Sequence, residues 1–134
     1  MFDRLEAWTP HAYARGWVAD RAGIFDDSRR GYGGQSRTAV DVFEHRMFDQ
    51  CDTFGWITAV RSSRSGSSRA VILELLDKMA DRGAQAVGLM VVPDEDEFIE
   101  RLTRYYERLG FRIIGEAAYP IMTRPLVECA RKRA

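Results

Sequence analysis

The feature that most constrains this chain is an alternation of apolar runs of strand length with segments of helical period, from FGWITAV onward. That run, at 54–60, is rich in aromatic and β-branched residues, and AVGLMVV, at 86–92, is a second continuous apolar run. FRIIGEAAY, at 111–119, and IMTRPL, at 121–126, predict two more strands. The order β-α-β-α-β-β predicts an α/β fold in which strands joined through a helix pair in parallel.

The segment after the first strand has one apolar face. Its apolar residues fall at i, i+3, i+4 and i+7, and they are Ile72, Leu75, Leu76 and Met79. Ser67 or Ser68 can cap the start of this helix, and Gly83 can take the left-handed conformation that ends it. The pattern predicts a strand-loop-helix unit.

The segment after the second strand has a similar stripe, formed by Phe98, Leu102, Tyr105 and Leu109. Asp94 and Glu97 predict a capping box at its start, and Gly110 predicts its end. The spacing therefore predicts a second helix, with Tyr105 in the core.

The first 53 residues have mixed periodicity. TPHAYARGWVADRAG, at 9–23, and SRTAVDVFEHRMFDQC, at 36–51, both predict helices, the second with a strand at its start as an alternative. The glycines of DDSRRGYGGQS, at 26–36, predict a loop. We therefore expect one domain over residues 1–134, in which residues 1–53 are mostly helical.

RSSRSGSSRAV, at 61–71, lies between the first strand and the first helix. A loop of small residues that leads into a helix can direct backbone N–H groups and the positive end of the helix dipole at a phosphate. The alternative is a mobile surface loop with solvated arginines. The candidate phosphate-binding residues are three arginines and four small residues: Arg61, Arg64, Arg69, Ser65, Gly66, Ser67 and Ser68.

RYYERLGF, at 104–111, ends a helix that follows an apolar strand, and it closely resembles the hallmark of the GNAT superfamily of acyl-CoA N-acyltransferases. In that family a strand leads to a phosphate-binding loop, Q/R-x-x-G-x-G/A, and the order of elements afterwards is the one predicted from residue 54. The resemblance implies a mixed sheet with a central parallel strand pair flanked by antiparallel strands. It covers residues 54–126, which would form the acyl-CoA-binding core.

The loop matches the family pattern at one position. When it is aligned by the length of the following helix, Gly66 fits the glycine, while Ser63 and Ser68 replace the first and last pattern residues. A register that starts at Arg61 is an alternative. RRGYGGQS, at 29–36, is closer to the pattern in its letters, but no apolar strand precedes it. We therefore interpret it as a surface or substrate-side loop, with a pyrophosphate-binding role as the alternative.

The resemblance also implies the chemistry. Acyl-CoA would lie between strands 54–60 and 86–92, with its pantetheine along Ala59 and Val60 and its pyrophosphate on the 61–69 loop. Tyr106 would be the acid near the departing sulfur, although a tyrosine there can simply pack its ring. No pattern selects a general base among Asp41, Glu44, His45 and Glu116. The implied function is N-acyl transfer to a primary amine; the alternative is a GNAT-like binding or interaction module without catalysis.

Composition limits the partners. Basic and acidic residues are equal at 20 each, so the net charge gives no reason to expect nucleic-acid or membrane binding. The two cysteines, Cys51 and Cys129, predict reduced thiols in a cytoplasmic protein rather than a disulfide framework or a zinc cluster. We therefore expect acetyl-CoA or another acyl-CoA as co-substrate, no metal, and a monomer or homodimer.

Overall fold

The computed structural model describes residues 2–20, 37–47, 51–64 and 66–126 of the 134-residue chain. Within these ranges a six-stranded mixed sheet packs against three α-helices. The strands are β1 (Phe2–Thr9), β2 (Ala12–Asp20), β3 (Thr53–Ser62), β4 (Ala86–Met90), β5 (Arg112–Glu116) and β6 (Pro120–Pro125). The helices are α1 (Arg37–Met47), α2 (Ser68–Asp81) and α3 (Ile99–Arg108), and a 3₁₀ turn (Asp96–Phe98) precedes α3. The α/β class and the element order predicted from residue 54 are confirmed.

The strand order in the sheet is β1-β2-β3-β4-β6-β5. β3 and β4 pair in parallel because α2 carries the chain back across the sheet, whereas every other neighbouring pair is antiparallel. The predicted central parallel pair, flanked by antiparallel strands, is therefore confirmed.

The helix predicted over residues 9–23 is wrong, because β2 occupies Ala12–Asp20. The segment contains residues that favour helices, but it pairs with β1 on one side and β3 on the other, and this pairing overrides local propensity. A Cβ at Gly16 would collide with the carbonyl oxygen of Trp56, so only glycine permits this approach of β2 to β3. The helix predicted within 36–51 is confirmed by α1.

Helices cover both faces of the sheet. The predicted stripe of α2 is confirmed, since Ile72, Leu75, Leu76 and Met79 are all buried, against β1, β2 and β3. On the other face α1 packs on β5 and β6, and the ring of Phe43 lies over Gly88 of β4. None of the helices in the described ranges is long and apolar enough to cross a membrane.

The second predicted stripe is only partly buried. Tyr106 is the buried residue within α3, followed by Leu109 and Phe111, while Phe98 is 39% exposed and Tyr105 is half-buried. The predicted capping box is wrong, because neither the 3₁₀ turn nor α3 has a side-chain cap hydrogen bond. Gly83 and Gly110 follow α2 and α3 with positive φ angles of 93° and 97°, as predicted.

Candidate functional site

β3 and β4 separate soon after they meet. Their parallel pairing runs from Phe54 and Ala86 to Trp56 and Gly88, and the remaining residues of the two strands do not pair with each other. β3 nevertheless stays paired with β2 as far as Ser62. The edge of β3 that faces β4 is therefore open beyond Trp56, and a narrow gap begins there.

A β-bulge accompanies the separation. Arg15 pairs with Ala59 and Gly16 pairs with Ile57, so β3 has one more residue than β2 at Thr58. The Thr58 hydroxyl donates a hydrogen bond to the Arg15 carbonyl oxygen at 3.1 Å, which holds the extra residue in place. Because a bulge bends a strand and increases its twist, it directs β3 away from β4.

The loop that follows β3 is anchored to the β1–β2 turn. The backbone N–H and the hydroxyl of Ser63 both donate to the carbonyl oxygen of His11, at 2.8 and 3.2 Å. The Ser67 hydroxyl lies 3.4 Å from the same oxygen and 2.6 Å from the carbonyl oxygen of Arg64. The loop is thus held by hydrogen bonds at both ends.

These bonds leave the start of α2 open. Ser67 is the N-cap residue, but its hydroxyl bonds to carbonyl groups and makes no side-chain cap hydrogen bond to the helix. Gly66, just before it, has a φ of 81°, and a Cβ built there would meet nothing within 4 Å. The first N–H groups of α2 therefore face a position that no side chain caps, as an anion site requires.

A groove of about 460 Å³ lies in front of this helix start. Its wall is formed by the loop on one side and by the start and inner face of α3 on the other. Its lining residues are Gly66, Ser68, Pro93, Asp94, Phe98, Arg101, Leu102, Tyr105 and Arg108. Neither Arg101 nor Arg108 forms an ion pair with a described residue, so both guanidinium groups can bind an anion here.

A hydrogen bond joins the two walls of this groove. The hydroxyl of Ser68, in the first turn of α2, lies 2.8 Å from the hydroxyl of Tyr105 on α3. Both hydroxyls are partly buried, and either can be the donor. The bond fixes the distance between the open helix start and α3.

The gap between β3 and β4 is a smaller cavity of about 60 Å³. It is lined by Ile57, Thr58, Ala59, Val60, Arg61, Leu89, Met90, Val92 and Tyr106. Val92 lines the gap and its neighbour Pro93 lines the groove, and Tyr106 lines the gap and its neighbour Tyr105 lines the groove. The two spaces therefore lie next to each other.

Tyr106 is held rigidly at this gap. Its ring makes edge contacts with the rings of Tyr105 and Phe111, with centroids 5.6 and 5.7 Å apart. Burial, with a smaller contribution from Tyr105, raises the pKa of Tyr106 from 10.0 to about 12. The hydroxyl of Tyr106 is therefore protonated at neutral pH and can act as a hydrogen-bond donor.

Among solved structures of similar fold is agmatine N-acetyltransferase in its apo form, with a TM-score of 0.53 and 12% identity over 84% of this chain and 67% of that one. The chain has the GNAT fold. A protein from Klebsiella pneumoniae subsp. pneumoniae assigned as an acyl-CoA N-acyltransferase has a TM-score of 0.46 and 14% identity, covering 87% of this chain and 72% of its own. SsHAT has a TM-score of 0.43 and 17% identity, covering 87% and 73%.

The sequence itself matches no family model, and no curated protein has a matching sequence. The likeness is therefore one of fold, and it confirms the predicted GNAT-like architecture.

Some of the predicted site residues line the gap or the groove and others do not. Ala59, Val60, Arg61 and Tyr106 line the gap, and Gly66 and Ser68 line the groove. Ser67 instead bonds to backbone carbonyls, and Arg64 and Arg69 are exposed outside the two linings. Ser65 and the loop at 29–36 lie outside the described residues.

Seven groove residues are not among the predicted site residues: Pro93, Asp94, Phe98, Arg101, Leu102, Tyr105 and Arg108. Phe98 and Tyr105 belong to the stripe that was interpreted as core. Their period of three to four residues shows which helix face they share, but it does not distinguish a core from a groove. The sequence feature that could have indicated an anion-binding groove is the spacing of Arg101 and Arg108, which lie seven residues apart and so share a helix face.

None of the candidate bases lines the gap or the groove. Glu44 is buried in α1, Asp41 and His45 are exposed on the same helix, and Glu116 is exposed at the end of β5. The described residues contain no group of three or more His, Cys, Asp or Glu side chains that could hold a metal ion.

Proposed function

We propose that this protein is an N-acyltransferase that moves an acetyl or other acyl group from acyl-CoA to a primary amine by direct attack. The observation that carries the proposal is the open edge of β3, which begins where Trp56 and Gly88 stop pairing and leads to the uncapped start of α2. The N-acetyltransferase of similar fold supports it. Residues 54–126 would then be the acyl-CoA-binding core, and residues 1–53 the acceptor side.

The gap and the groove together suit the parts of acyl-CoA in the following order. The open edge of β3 at Ala59 and Val60 presents backbone groups that can hydrogen-bond an extended pantetheine as an added strand would. The start of α2, beside Gly66, then meets the pyrophosphate, and Arg101 and Arg108 supply positive charge. This order places the thioester near the narrow end of the gap.

The reaction moves one acyl group and one proton. The lone pair of the neutral amine attacks the thioester carbonyl carbon, the C–S bond breaks, and the amine loses a proton while the thiolate of CoA gains one. Backbone N–H groups along the open strand edges are suitable donors to the oxyanion, because they are fixed before the reaction begins.

The hydroxyl of Tyr106 is suited to donate a hydrogen bond to the sulfur of CoA as it leaves. It lines the gap, and its raised pKa, about 12, keeps it protonated through the pH range in which an amine is deprotonated. A hydroxyl with that pKa is a weaker acid than a thiol, whose ordinary pKa is about 8.5, so its main contribution is a hydrogen bond that stabilises the developing thiolate. The proton released by the amine then completes the exchange.

Ligand binding is tested first, by thermal unfolding of the whole chain with acetyl-CoA. A ligand at about 100 times its dissociation constant adds roughly 2.7 kcal/mol to the free energy of unfolding. Release of the CoA thiol is then followed in the presence of amines, from polyamines to peptides. Binding with turnover supports the proposal. Binding without turnover for any amine, or no shift with any acyl-CoA, contradicts it and favours the GNAT-like binding or interaction module.

We also propose that the protein lies in the cytoplasm, because two cysteines distant in sequence suit a reducing compartment. Its proposed oligomeric state is a monomer or a homodimer.

A further inference from the structure

At the closed end of the β3–β4 gap, the last strand pair, Trp56 with Gly88, is covered by an aromatic side chain from α1. The ring of Phe43 lies so close to Gly88 that a Cβ there would be 2.5 Å from its Cδ1 atom. Phe43 and Trp56 are both fully buried, and their ring centroids are 5.3 Å apart. The space that a side chain at position 88 would take is therefore filled by Phe43.

The same face of the sheet is also covered two residues further along β4, at Met90. Gly88 and Met90 point to the same side of the sheet, because side chains alternate along a strand. Met90 packs against the cluster that contains Phe43, and it also lines the gap. The Trp56–Gly88 pair thus ends the strand pairing at the inner end of the gap, Met90 lines the gap, and Phe43 packs behind them on the same face of the sheet.

The size of the gap agrees with this closure. The cavity between the strands is about 60 Å³, whereas the groove at the start of α2 is about 460 Å³. If acyl-CoA lies in the order proposed above, its nucleotide occupies the large space and its acyl group reaches the small one. A two-carbon acyl group suits this small space, whereas a long chain would have to extend past Met90 and displace Phe43 behind it.

We propose that Phe43 is a specificity-determining residue that restricts this protein to short acyl groups, such as acetyl. This inference rests on the proposed function, since it assumes that the acyl end of acyl-CoA enters the β3–β4 gap. Phe43 lies outside the residues that would bind CoA itself. It therefore affects the choice among acyl-CoAs and not the affinity for their common part.

The first experiment compares CoA, acetyl-CoA and octanoyl-CoA as ligands of the unmodified protein by calorimetry. In an apolar pocket each methylene that does not fit costs a factor of roughly 10 to 200, so octanoyl-CoA should bind at least tenfold more weakly than acetyl-CoA. Equal affinities for the two thioesters would overturn the inference while leaving the proposed function intact. If none of the three ligands binds, the proposed function fails, and this inference fails with it.

The second experiment uses Phe43→Leu, which frees space over Gly88 and retains an apolar side chain. The preference for acetyl-CoA over octanoyl-CoA should fall several-fold in this variant. Phe54→Leu is the control, because Phe54 belongs to the same cluster and contacts Phe43 but lies two residues before the last strand pair. An unchanged preference in Phe43→Leu, or an equal change in both variants, contradicts the inference. If Phe43→Leu does not fold, the comparison in the unmodified protein decides.

Discussion

The hydroxyl of Tyr105 lies 2.8 Å from that of Ser68, so that α3 is tied to the first turn of α2. The two helices belong to different β-α units, and the bond lies at the wall of the large groove. It determines where the open N–H groups of α2 stand relative to Arg101 and Arg108. A side chain that the sequence predicted to be core thus holds the proposed anion site together.

Tyr105→Phe should weaken acetyl-CoA binding several-fold, with a smaller effect on kcat than on KM. The variant retains the ring and loses one hydrogen bond, which is worth about 0.5–1.5 kcal/mol. Tyr119→Phe is the control, since it loses a hydroxyl bond of 2.9 Å, to Asp96, outside the groove lining. Equal effects of the two variants on KM would show that the Tyr105 hydroxyl contributes no more to acetyl-CoA binding than the Tyr119 hydroxyl does.

The two tyrosines also show what the sequence could and could not determine. The helical period and the glycine ends predicted α3 correctly. Tyr106 lines the gap between the strands, while its role as the acid stays a prediction. The apolar stripe, however, made Tyr105 a core residue, while in the structure it lines the groove. Period identifies a helix face, but what that face meets depends on the neighbouring elements, here α2.

The N-terminal strands could not be predicted for a related reason. Ala12 and Ala14 have side chains that suit helices, and they are buried in β2 because small residues allow α2 to approach the sheet. Gly16 permits the approach of β2 to β3. These requirements come from partners distant in sequence, so a local pattern does not reveal them.

Tyr106→Phe should reduce turnover on the order of 100-fold and leave acetyl-CoA affinity nearly unchanged. The ring contacts with Tyr105 and Phe111 remain, and only the proposed donor to the departing sulfur is removed. Steady-state rates and binding are measured on the same preparation. Unchanged turnover would show that Tyr106 does not donate a hydrogen bond to the departing sulfur, and a parallel loss of affinity would indicate a structural role instead.

The raised pKa of Tyr106 predicts a specific loss of stability in alkali. The pKa of Tyr106 is about 12 in the folded protein and 10.0 ordinarily. The folding stability that depends on protonated Tyr106 is therefore complete below pH 10 and is lost as the pH rises toward 12. The full pKa difference corresponds to about 3 kcal/mol in the free energy of unfolding. Urea unfolding at about pH 9 and about pH 11.5 should show an extra loss of about 2 kcal/mol in the unmodified protein relative to Tyr106→Phe. Parallel losses in the two proteins would contradict the assignment.

Arg101→Gln and Arg108→Gln should each weaken acetyl-CoA binding by roughly tenfold, since a hydrogen bond to a charged group contributes about 1.5–3 kcal/mol. Both residues line the groove. Arg104→Gln provides the comparison, because Arg104 lies on the same helix, is 68% exposed and pairs with Glu100 at 3.6 Å. Binding that weakens with added salt in the unmodified protein, and less so in the groove variants, would identify these charges as the phosphate partners. Equal affinities in all three variants would remove α3 from the anion site.

Gly66→Val and Gly83→Val form a pair that separates backbone strain from ligand contact. Both glycines flank α2 and have positive φ angles, 81° and 93°, and a Cβ at either meets nothing within 4 Å. Each variant should therefore lose stability by a similar amount, at least about 1–2 kcal/mol, through the left-handed conformation alone. Only Gly66 lines the groove, so only Gly66→Val should lose acetyl-CoA affinity, because its side chain would stand between the pyrophosphate and the first N–H groups of α2. If Gly66→Val binds acetyl-CoA as tightly as Gly83→Val, the loop is a connection between β3 and α2 and not a phosphate site.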